Sequence, residues 1–333
     1  MISGLRTAAL VTALAVLVSS APAADAQPVT MRIQHSAPLV HQITLALHAF
    51  AQDVEARSSG EVVVDILTRP RTLVPGGEVV AAVASGALEA AAIPNFQWTD
   101  AIPEMNFSVI PYLFTDLAQI RAFSTSPAAE LLEDQLNALG ARTLIWMHVT
   151  RTSLITSQER PIVAPADFAG LRVRTVNEFA GVPLEAVDAV PQRLGAGSVY
   201  AAIEAGTLDA ITTDVASAVG LRLYEVQGAG TVAPYFSAFY HLFVNPGWLD
   251  GLSARQRKAV DDAAAALEAT TVTITEARAA ASIDVLRANG MDLHLQTEAE
   301  QAAWRAAMQP PALEAFARDV PDGEAFLALL PRE

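Results

Sequence analysis

The sequence predicts an α/β protein built from two successive lobes, and three observations carry this prediction. Segments with strand and helix patterns alternate from residue 29 to residue 93, and again from residue 143 to residue 212. About 300 residues follow an N-terminal leader, which is enough for two domains. Finally, no Gly or Pro interrupts the helical pattern between Ser253 and Gly290, and a helix of that length is longer than one small domain is wide.

The first lobe is predicted to alternate strands and helices. Residues 29–33 alternate polar and apolar side chains, and residues 62–67 are rich in β-branched ones, both typical of strands. Helical spacing is seen over 41–58 and 77–85, and residues 90–93 complete the lobe with a third strand. This order predicts parallel strands, whose ligand sites lie in the loops that follow their carboxyl ends.

The second lobe repeats the alternation from near residue 150. The predicted strands are 143–149, 172–176 and 208–212, and the predicted helices are 178–186 and 198–205. We assign residues 27–149 and about 235–270 to the first lobe, and residues 150–234 and about 271–333 to the second.

The long helix has clear start and stop signals. Ser253 followed by Gln256 is a capping box, and Asn289-Gly290 is a typical C-terminal stop. The helix between them is roughly 54 Å long and is expected to run across both lobes. The alternative is two helices broken near residues 270–273, where β-branched residues weaken helix propensity.

The N-terminus predicts export. The first residues have the order of a secretory signal peptide: Arg6, then the apolar residues 8–18, then a small-x-small sequence at 24–26. Cleavage is expected after Ala26. The alternative is an uncleaved anchor, but the apolar stretch is shorter than a bilayer span requires. No later segment is apolar enough to span a membrane, so the chain is not expected to be membrane-spanning itself.

Composition and motifs exclude several classes of function. The net charge of −15 argues against nucleic-acid binding, which needs a basic face. There is no G-x-S-x-G nucleophile motif, and the G-x-G pairs at 195–197 and 228–230 lack the dinucleotide-binding context. His35, His41 and His48 do not have metal-ligand spacing. We therefore expect no metal, no cofactor and no catalytic centre.

One stretch carries a specific resemblance. Residues 160–174, RPIVAPADFAGLRVR, resemble the signature of the periplasmic substrate-binding subunits of TRAP (tripartite ATP-independent periplasmic) transporters. Further segments of that family are similar to residues 107–114, to residues 199–209, and to Asn245 with Trp248 and Leu252. The resemblance covers residues 29 to about 290, and the order and spacing of the segments make it specific.

The resemblance implies a fold, a location and partners. It implies the two-lobed periplasmic binding protein fold with mixed sheets, a ligand cleft between the lobes and a long helix spanning both. It further implies that the protein captures a small organic carboxylate in the periplasm and delivers it to the small and large integral membrane subunits of a TRAP permease. A monomer is expected, and dimerisation through the apolar residues of 310–330 is the alternative.

Arg174 is the main candidate for holding the ligand. It ends a predicted strand, and its guanidinium matches a carboxylate bidentately. Arg172 lies on the same strand face, so alternation does not choose between them, whereas the family signature ends on Arg174. Arg151 is a second candidate, because family members often carry an arginine about 20 residues earlier; the alternative is an exposed arginine at the lobe boundary.

The remaining candidates depend on position. Thr213 stands where the family often has a ligand-binding Asn. Ala196-Gly197-Ser198 replaces an aromatic-Ser-Glu segment, which predicts room for a bulkier or more apolar ligand. The other candidates end predicted strands or lie where the chain recrosses between lobes: Asn95, Trp98, His35, Tyr235 and Phe236. Lobe-core packing is the alternative for Trp98, and a hinge role is the alternative for Tyr235 and Phe236.

Two other functional classes fit parts of this pattern. One is a carboxylate-binding lobe that serves an ATP-driven importer or a sensor. The other is an enzyme acting on a small organic acid, although no activated nucleophile is visible in the sequence. The ligand itself is not named by the sequence, because one arginine accounts for only one carboxylate.

Overall fold

The computed structural model describes residues 28–114 and 116–331, so the predicted signal peptide lies outside the described residues. The strands are β1 Val29–His35, β2 Val62–Leu67, β3 Ala90–Pro94, β4 Arg142–Thr150, β5 Ser153–Ser157, β6 Arg172–Thr175, β7 Val190–Arg193, β8 Ala210–Asp214, β9 Ala229–Ala233, β10 Ala238–Val244 and β11 Asp292–Leu295. The helices are α1 Gln42–Ser58, α2 Val79–Ala84, α3 Leu117–Phe123, α4 Pro127–Ala138, α5 Val182–Glu185, α6 Ala196–Glu204, α7 Val215–Gly220, α8 Pro246–Asp250, α9 Ala254–Ala288, α10 Glu298–Asp319 and α11 Gly323–Leu329.

The first sheet has the order β2-β1-β3-β10-β4. Strand β1 runs parallel to β2 and β3, as the alternation of elements predicted. Strand β10 then inserts antiparallel between β3 and β4, which makes the sheet mixed. Every residue of β3 and β10 is buried, since helices or loops cover both of their faces.

The second sheet has the order β11-β9-β5-β8-β6-β7 and is also mixed. Strands β6, β7 and β8 are parallel, whereas β5 is antiparallel to β8 and β9. The chain passes from the first sheet to the second between Thr150 and Ser153, and it returns over residues 234–237. The predicted two-sheet α/β architecture is therefore confirmed.

Helix α9 is a single unbroken helix of 35 residues, so the predicted capping box is confirmed and the alternative break does not occur. The hydroxyl of Thr270 donates to the carbonyl of Leu267 at 2.9 Å, and the hydroxyl of Thr275 donates to the carbonyl of His148 at 2.7 Å. Tertiary packing on β4 and α1 at one end and on α7 at the other outweighs the weak propensity of these threonines.

The C-terminal helices pack within the same chain. The ring of Phe326 lies 5.7 Å from that of Phe107 and 6.0 Å from that of Phe316, and α11 contacts α4. Helix α11 thus packs beside the first sheet, whereas the ring of Trp304, on α10, lies 5.0 Å from that of Phe168 in the second unit. The assignment of residues 271–333 to the second lobe stays a prediction. Among the described helices, none is both long and apolar enough to cross a membrane.

Candidate functional site

The loops that follow the strands of one sheet contact those of the other. The side-chain amide of Asn177, after β6, donates to Oδ1 of Asn106, after β3, at 2.8 Å. His41, at the start of α1, places Nε2 3.5 Å from Oδ1 of Asp214, which ends β8. These contacts show that the carboxyl ends of parallel strands from both sheets face each other, which is where α/β proteins bind ligands.

Arg174 carries a buried positive charge at this edge of β6. It is 7% exposed; its Nε donates to the carbonyl of Leu194 at 2.8 Å and its Nη1 to that of Thr212 at 3.2 Å. No carboxylate of the described residues forms a salt bridge with it. Burial lowers the pKa of Arg174 to about 10, with the charge of Asp214 acting in the opposite direction, so the guanidinium is charged at neutral pH.

Arg172 has a different partner. Its Nε and Nη2 donate to the two carboxylate oxygens of Asp209 at 2.9 and 2.7 Å, and its backbone N–H donates to the same carboxylate at 2.8 Å. This bidentate pair joins β6 to the turn before β8. Of the two arginines that strand alternation could not separate, only Arg174 has no carboxylate partner among the residues described.

The rest of the signature builds the turn that leads into β6. Oδ2 of Asp167 accepts the backbone N–H groups of Val163 and Ala164 at 3.0 and 2.8 Å, and Arg160 donates to Oδ1 at 3.1 Å. The bond from Ala164 is the largest of the effects that lower the pKa of Asp167, so this carboxylate is ionised. Gly170 then takes a φ of +76°, which favours glycine.

Arg151 lies between β4 and β5, where the chain first crosses between the sheets. Its Nη2 donates to Oε2 of Glu276, on α9, at 3.0 Å, and both side chains are about three-quarters buried. The structure therefore places Arg151 in an ion pair with the long helix. This position favours the alternative, an arginine at the lobe boundary. Direct contact between Arg151 and a ligand stays a prediction.

Thr213 lies in β8 opposite Leu154 of β5 and is 6% exposed. Its neighbour Thr212 is the residue that contacts Arg174: the Thr212 hydroxyl donates to the Arg174 carbonyl at 3.2 Å, and the Thr212 carbonyl accepts from the guanidinium. A role for Thr213 in ligand binding stays a prediction.

Asn95 and Trp98 follow β3, as predicted, but their side chains lie in the core of the first sheet's unit. The Asn95 amide bonds to the carbonyl of Met105 and to the backbone N–H of Phe239, both at 3.1 Å. Trp98 is 1% exposed, and its ring lies 4.7 Å from that of Phe243. This placement favours the packing alternative for Trp98.

His35 ends β1 and is also buried. Its Nδ1 accepts the backbone N–H of Ala37 at 3.2 Å, while Nε2 is buried with no partner among the described residues. Burial, with smaller contributions from His48 and His41, lowers the pKa of His35 to about 4. The ring is neutral at neutral pH and therefore has an unused polar nitrogen rather than a charge.

Tyr235 and Phe236 lie in the second crossing between the sheets, as expected. The carbonyl of Tyr235 accepts the backbone N–H of Tyr112 at 2.8 Å, and the N–H of Phe236 donates to the hydroxyl of Ser153 at 3.2 Å. The Tyr235 hydroxyl is buried without a partner in the described part of the chain, and burial raises its pKa. The backbone bonds fit the hinge alternative, and the free hydroxyl fits the pocket alternative.

Sequence reasoning missed His41 and Asp214. The Asp214 carboxylate caps α7 by accepting the N–H of Ser217 at 2.8 Å. Burial opposes its ionisation, but bonds from His41 and Ser217 lower the pKa of Asp214 overall. Nδ1 of His41 accepts the N–H of Ile43 at 3.2 Å, so Nε2 carries the proton that faces Asp214. A polar residue opening a helix after a strand is the sequence signal that both share.

Arg69 was missed as well. It follows β2, is exposed, and forms no ion pair or hydrogen bond with another described residue. A Cβ atom at Gly197, in the first turn of α6, would lie 3.1 Å from its Nη1. The guanidinium of a loop from the first sheet thus lies against the backbone of a helix from the second. Like Arg174, Arg69 lies near the carboxyl end of a strand, but the family signature does not include it.

Two surface cavities flank these residues. One of about 330 Å³ is lined by Asp100 and Asn106 from the first sheet's loops and by Asn177 and Arg193 from the second's. The other, of about 480 Å³, lies beside the C-terminal helices near Tyr112. Arg174 lines neither of these cavities. No cluster of His, Asp or Glu that could hold a metal is found among residues 28–114 and 116–331.

Two mixed sheets, strand ends that face each other and one long helix that packs on both units are the architecture of a two-lobed periplasmic binding protein. The chain belongs to the family described as bacterial extracellular solute-binding protein, family 7, whose model matches residues 33–319. The resemblance to TRAP substrate-binding subunits is thereby confirmed. The protein is a binding receptor rather than an enzyme.

Individual relatives agree with this assignment. The C4-dicarboxylate-binding periplasmic protein DctP of Rhodobacter capsulatus is 25% identical over 307 residues, 91% of each chain. A TRAP solute-binding protein from a Sulfitobacter species, solved with β-D-galacturonate, has a TM-score of 0.82 and 18% identity over 90% of this chain and 99% of its own. One from Sulfurospirillum deleyianum, solved with succinate, has a TM-score of 0.80 and 20% identity over 91% and 99%.

Proposed function

We propose that this protein is an exported TRAP receptor that captures a small organic carboxylate between its two sheets through Arg174. The observation that carries the proposal is the buried guanidinium of Arg174, which has backbone carbonyl partners but no carboxylate partner among the described residues. Burying an unpaired charge is costly. An anionic ligand that brings a carboxylate to this position offsets that cost.

The two backbone bonds also orient the guanidinium before the ligand arrives. Because Nε and Nη1 are held by the carbonyls of Leu194 and Thr212, the remaining N–H groups have a fixed direction. A planar donor fixed in this way loses little side-chain entropy on binding, which favours affinity and bidentate geometry. The contrasting pair of Arg172 with Asp209 supports a structural role for that neighbour.

Delivery to a membrane permease completes the proposal. Family membership supports a partnership with separate small and large membrane subunits, and the sequence at residues 1–26 supports export to the periplasm. Solved relatives carry succinate, malate or uronates, which are small acids with at least one carboxylate. We propose that the ligand of this protein has the carboxylate group that these acids share.

The experiment compares two matched variants. A thermal-shift screen against succinate, L-malate, D-galacturonate, D-glucuronate and pyroglutamate selects a probe acid, because ligands of the folded state raise its melting temperature. Calorimetric titration of that acid is then repeated with Arg174→Gln and Arg172→Gln, which remove the same charge from the same strand. We expect Arg174→Gln to weaken binding about 100-fold or more, and Arg172→Gln to weaken it less than about threefold.

Circular dichroism and a cooperative melting curve check that both variants are folded. Equal affinities in the wild type and a folded Arg174→Gln variant would contradict the proposal. A loss of affinity that is the same in both variants would instead assign the effect to net charge or to strand β6 as a whole.

A further inference from the structure

Two arginines that are two residues apart follow β2, Arg69 and Arg71, and two with the same spacing lie in β6, Arg172 and Arg174. Arg71 donates to both carboxylate oxygens of Asp65, at 3.0 and 2.8 Å, just as Arg172 is paired with Asp209. Arg69, two residues before Arg71, has no carboxylate or hydrogen-bond partner in the described part of the chain. Next to each paired arginine in sequence lies one, Arg69 or Arg174, that has no carboxylate partner among the described residues.

Arg69 and Arg174 contact one short segment of the second unit. Arg174 donates to the carbonyl of Leu194, and Arg69 lies against Gly197, where a Cβ atom would be 3.1 Å from Nη1 and 4.0 Å from Cζ. Three residues span at most about 10 Å of extended chain. Both guanidinium groups are thus within reach of one small molecule that lies along residues 194–197.

The surroundings of Arg69 also favour a negative partner. Gly197 lies in the first turn of α6, a helix of nine residues whose N-cap Gly195 provides no side-chain hydrogen bond. The N-terminal end of a helix is electropositive, so a cation there is unfavourable unless an anion lies between them. Arg174, which donates to Leu194 in the same segment, is a buried charge with no carboxylate partner among the described residues. This second observation independently indicates an anionic ligand.

We infer that Arg69 determines specificity by binding a second negative group at the end of the ligand distant from Arg174. The ligand is then a small acid with two anionic ends, one held by each sheet. This inference rests on the proposed function, since it takes Arg174 as the site of the first carboxylate. It also changes the meaning of the small residues at 196–198: the space beside them is taken by a cation rather than left for an apolar ligand.

Gly197 is part of this arrangement. A side chain at position 197 would meet Nη1 of Arg69 at a distance tighter than ordinary van der Waals contact, so the guanidinium would have to shift by a few tenths of an ångström. No positive φ requires glycine at this position. The absence of a side chain at 197 therefore allows the close approach of Arg69, and Gly197→Ala should displace Arg69 without unfolding α6.

The experiment uses acids that differ only at the far end. Binding of succinate is compared with that of butyrate, and binding of glutarate with that of pentanoate, by calorimetric titration of the full mature chain. In the wild type we expect the two-charge member of at least one pair to bind about 10- to 100-fold more tightly, the range of a charge-assisted hydrogen bond. A wild type that binds the one-charge member equally well overturns the inference.

The variants test which arginine is responsible. Arg69→Gln should remove the preference for the two-charge acid while changing the affinity for the one-charge acid less than about threefold. Arg71→Gln removes the same charge from the same loop and should leave the preference intact. Gly197→Ala should reduce the preference, and should have no further effect in the Arg69→Gln background; Gly195→Ala, where a Cβ would meet nothing within 4 Å, is its control.

The outcomes separate this inference from the proposed function. If Arg174→Gln abolishes binding of all acids while Arg69→Gln leaves the preference unchanged, the inference fails and the proposed function stands. If Arg174→Gln leaves all binding unchanged, the proposed function fails. We expect Arg69→Gln to lose the two-charge preference, Gly197→Ala to reduce it, and Arg71→Gln and Gly195→Ala to retain it.

Discussion

The two sheets bury polar side chains of different kinds. The first sheet buries three histidines whose pKa values burial lowers to about 4 for His35 and about 3 for His148 and His241. The second sheet buries a guanidinium, Arg174, which stays charged. A histidine can lose its proton to enter an apolar core, whereas arginine cannot do so at any working pH. A charge retained in the second sheet therefore points to a ligand, and neutral rings in the first sheet point to packing.

This comparison leads first to the largest expected effect, a loss of stability in acid. Because the folded-state pKa values of these histidines lie below the unfolded value of about 6.5, the unfolded chain takes up protons first as the pH falls. At pH 5 each histidine should lower the free energy of unfolding by about 2 kcal/mol, or about 6 kcal/mol for the three. Urea unfolding followed from pH 7.5 to pH 5 measures this loss.

A variant assigns part of that loss to one ring. Neither nitrogen of His148 has a hydrogen-bond partner among the described residues, so His148→Leu gives up no bond. It should reduce the dependence of unfolding free energy on pH by about 1 kcal/mol per pH unit between pH 6 and pH 5. An unchanged slope in His148→Leu would show that this histidine does not belong to the neutral, buried group.

The second prediction concerns Trp98, whose ring packs in the core of the first sheet's unit. Trp98→Ala should lower the free energy of unfolding by about 3–5 kcal/mol, as expected for the loss of a buried aromatic side chain. Ligand affinity of the folded variant should change less than about threefold, and Trp98→Phe should cost less stability. A large loss of affinity in a variant of normal stability would instead return Trp98 to the ligand site.

The smallest effect is expected at the junction of the two units. Arg151 and Glu276 form an ion pair between the first crossing and the long helix, with side chains 29% and 26% exposed. A double-mutant cycle with Arg151→Gln and Glu276→Gln should give a coupling of about 1 kcal/mol or less. If the coupling changes when the ligand is present, Arg151 contributes to binding as well as to the junction.

Local patterns in the sequence were sufficient for most of the fold. The β-branched run at 62–67 became β2, and the capping box at Ser253 and Gln256 begins the long helix. These features depend on neighbouring residues along the chain, which the sequence displays directly. The mixed character of the first sheet depends on β10, which returns from more than 140 residues away to pair with β3. No local pattern predicted that pairing, and the family resemblance implied only that the sheets are mixed.

By itself the sequence predicted the class of fold and the long helix, because both follow from periodicity and from capping signals. The ligand role of Arg174 stays a prediction, which the family signature implies. The sequence did not determine which arginines are paired. Alternation makes Arg172 and Arg174 equivalent, and the spacing of Arg69 and Arg71 is the same. Only the tertiary structure placed Asp209 beside Arg172 and Asp65 beside Arg71, since a salt bridge depends on distance in space, and distance in space is set by how the strands assemble.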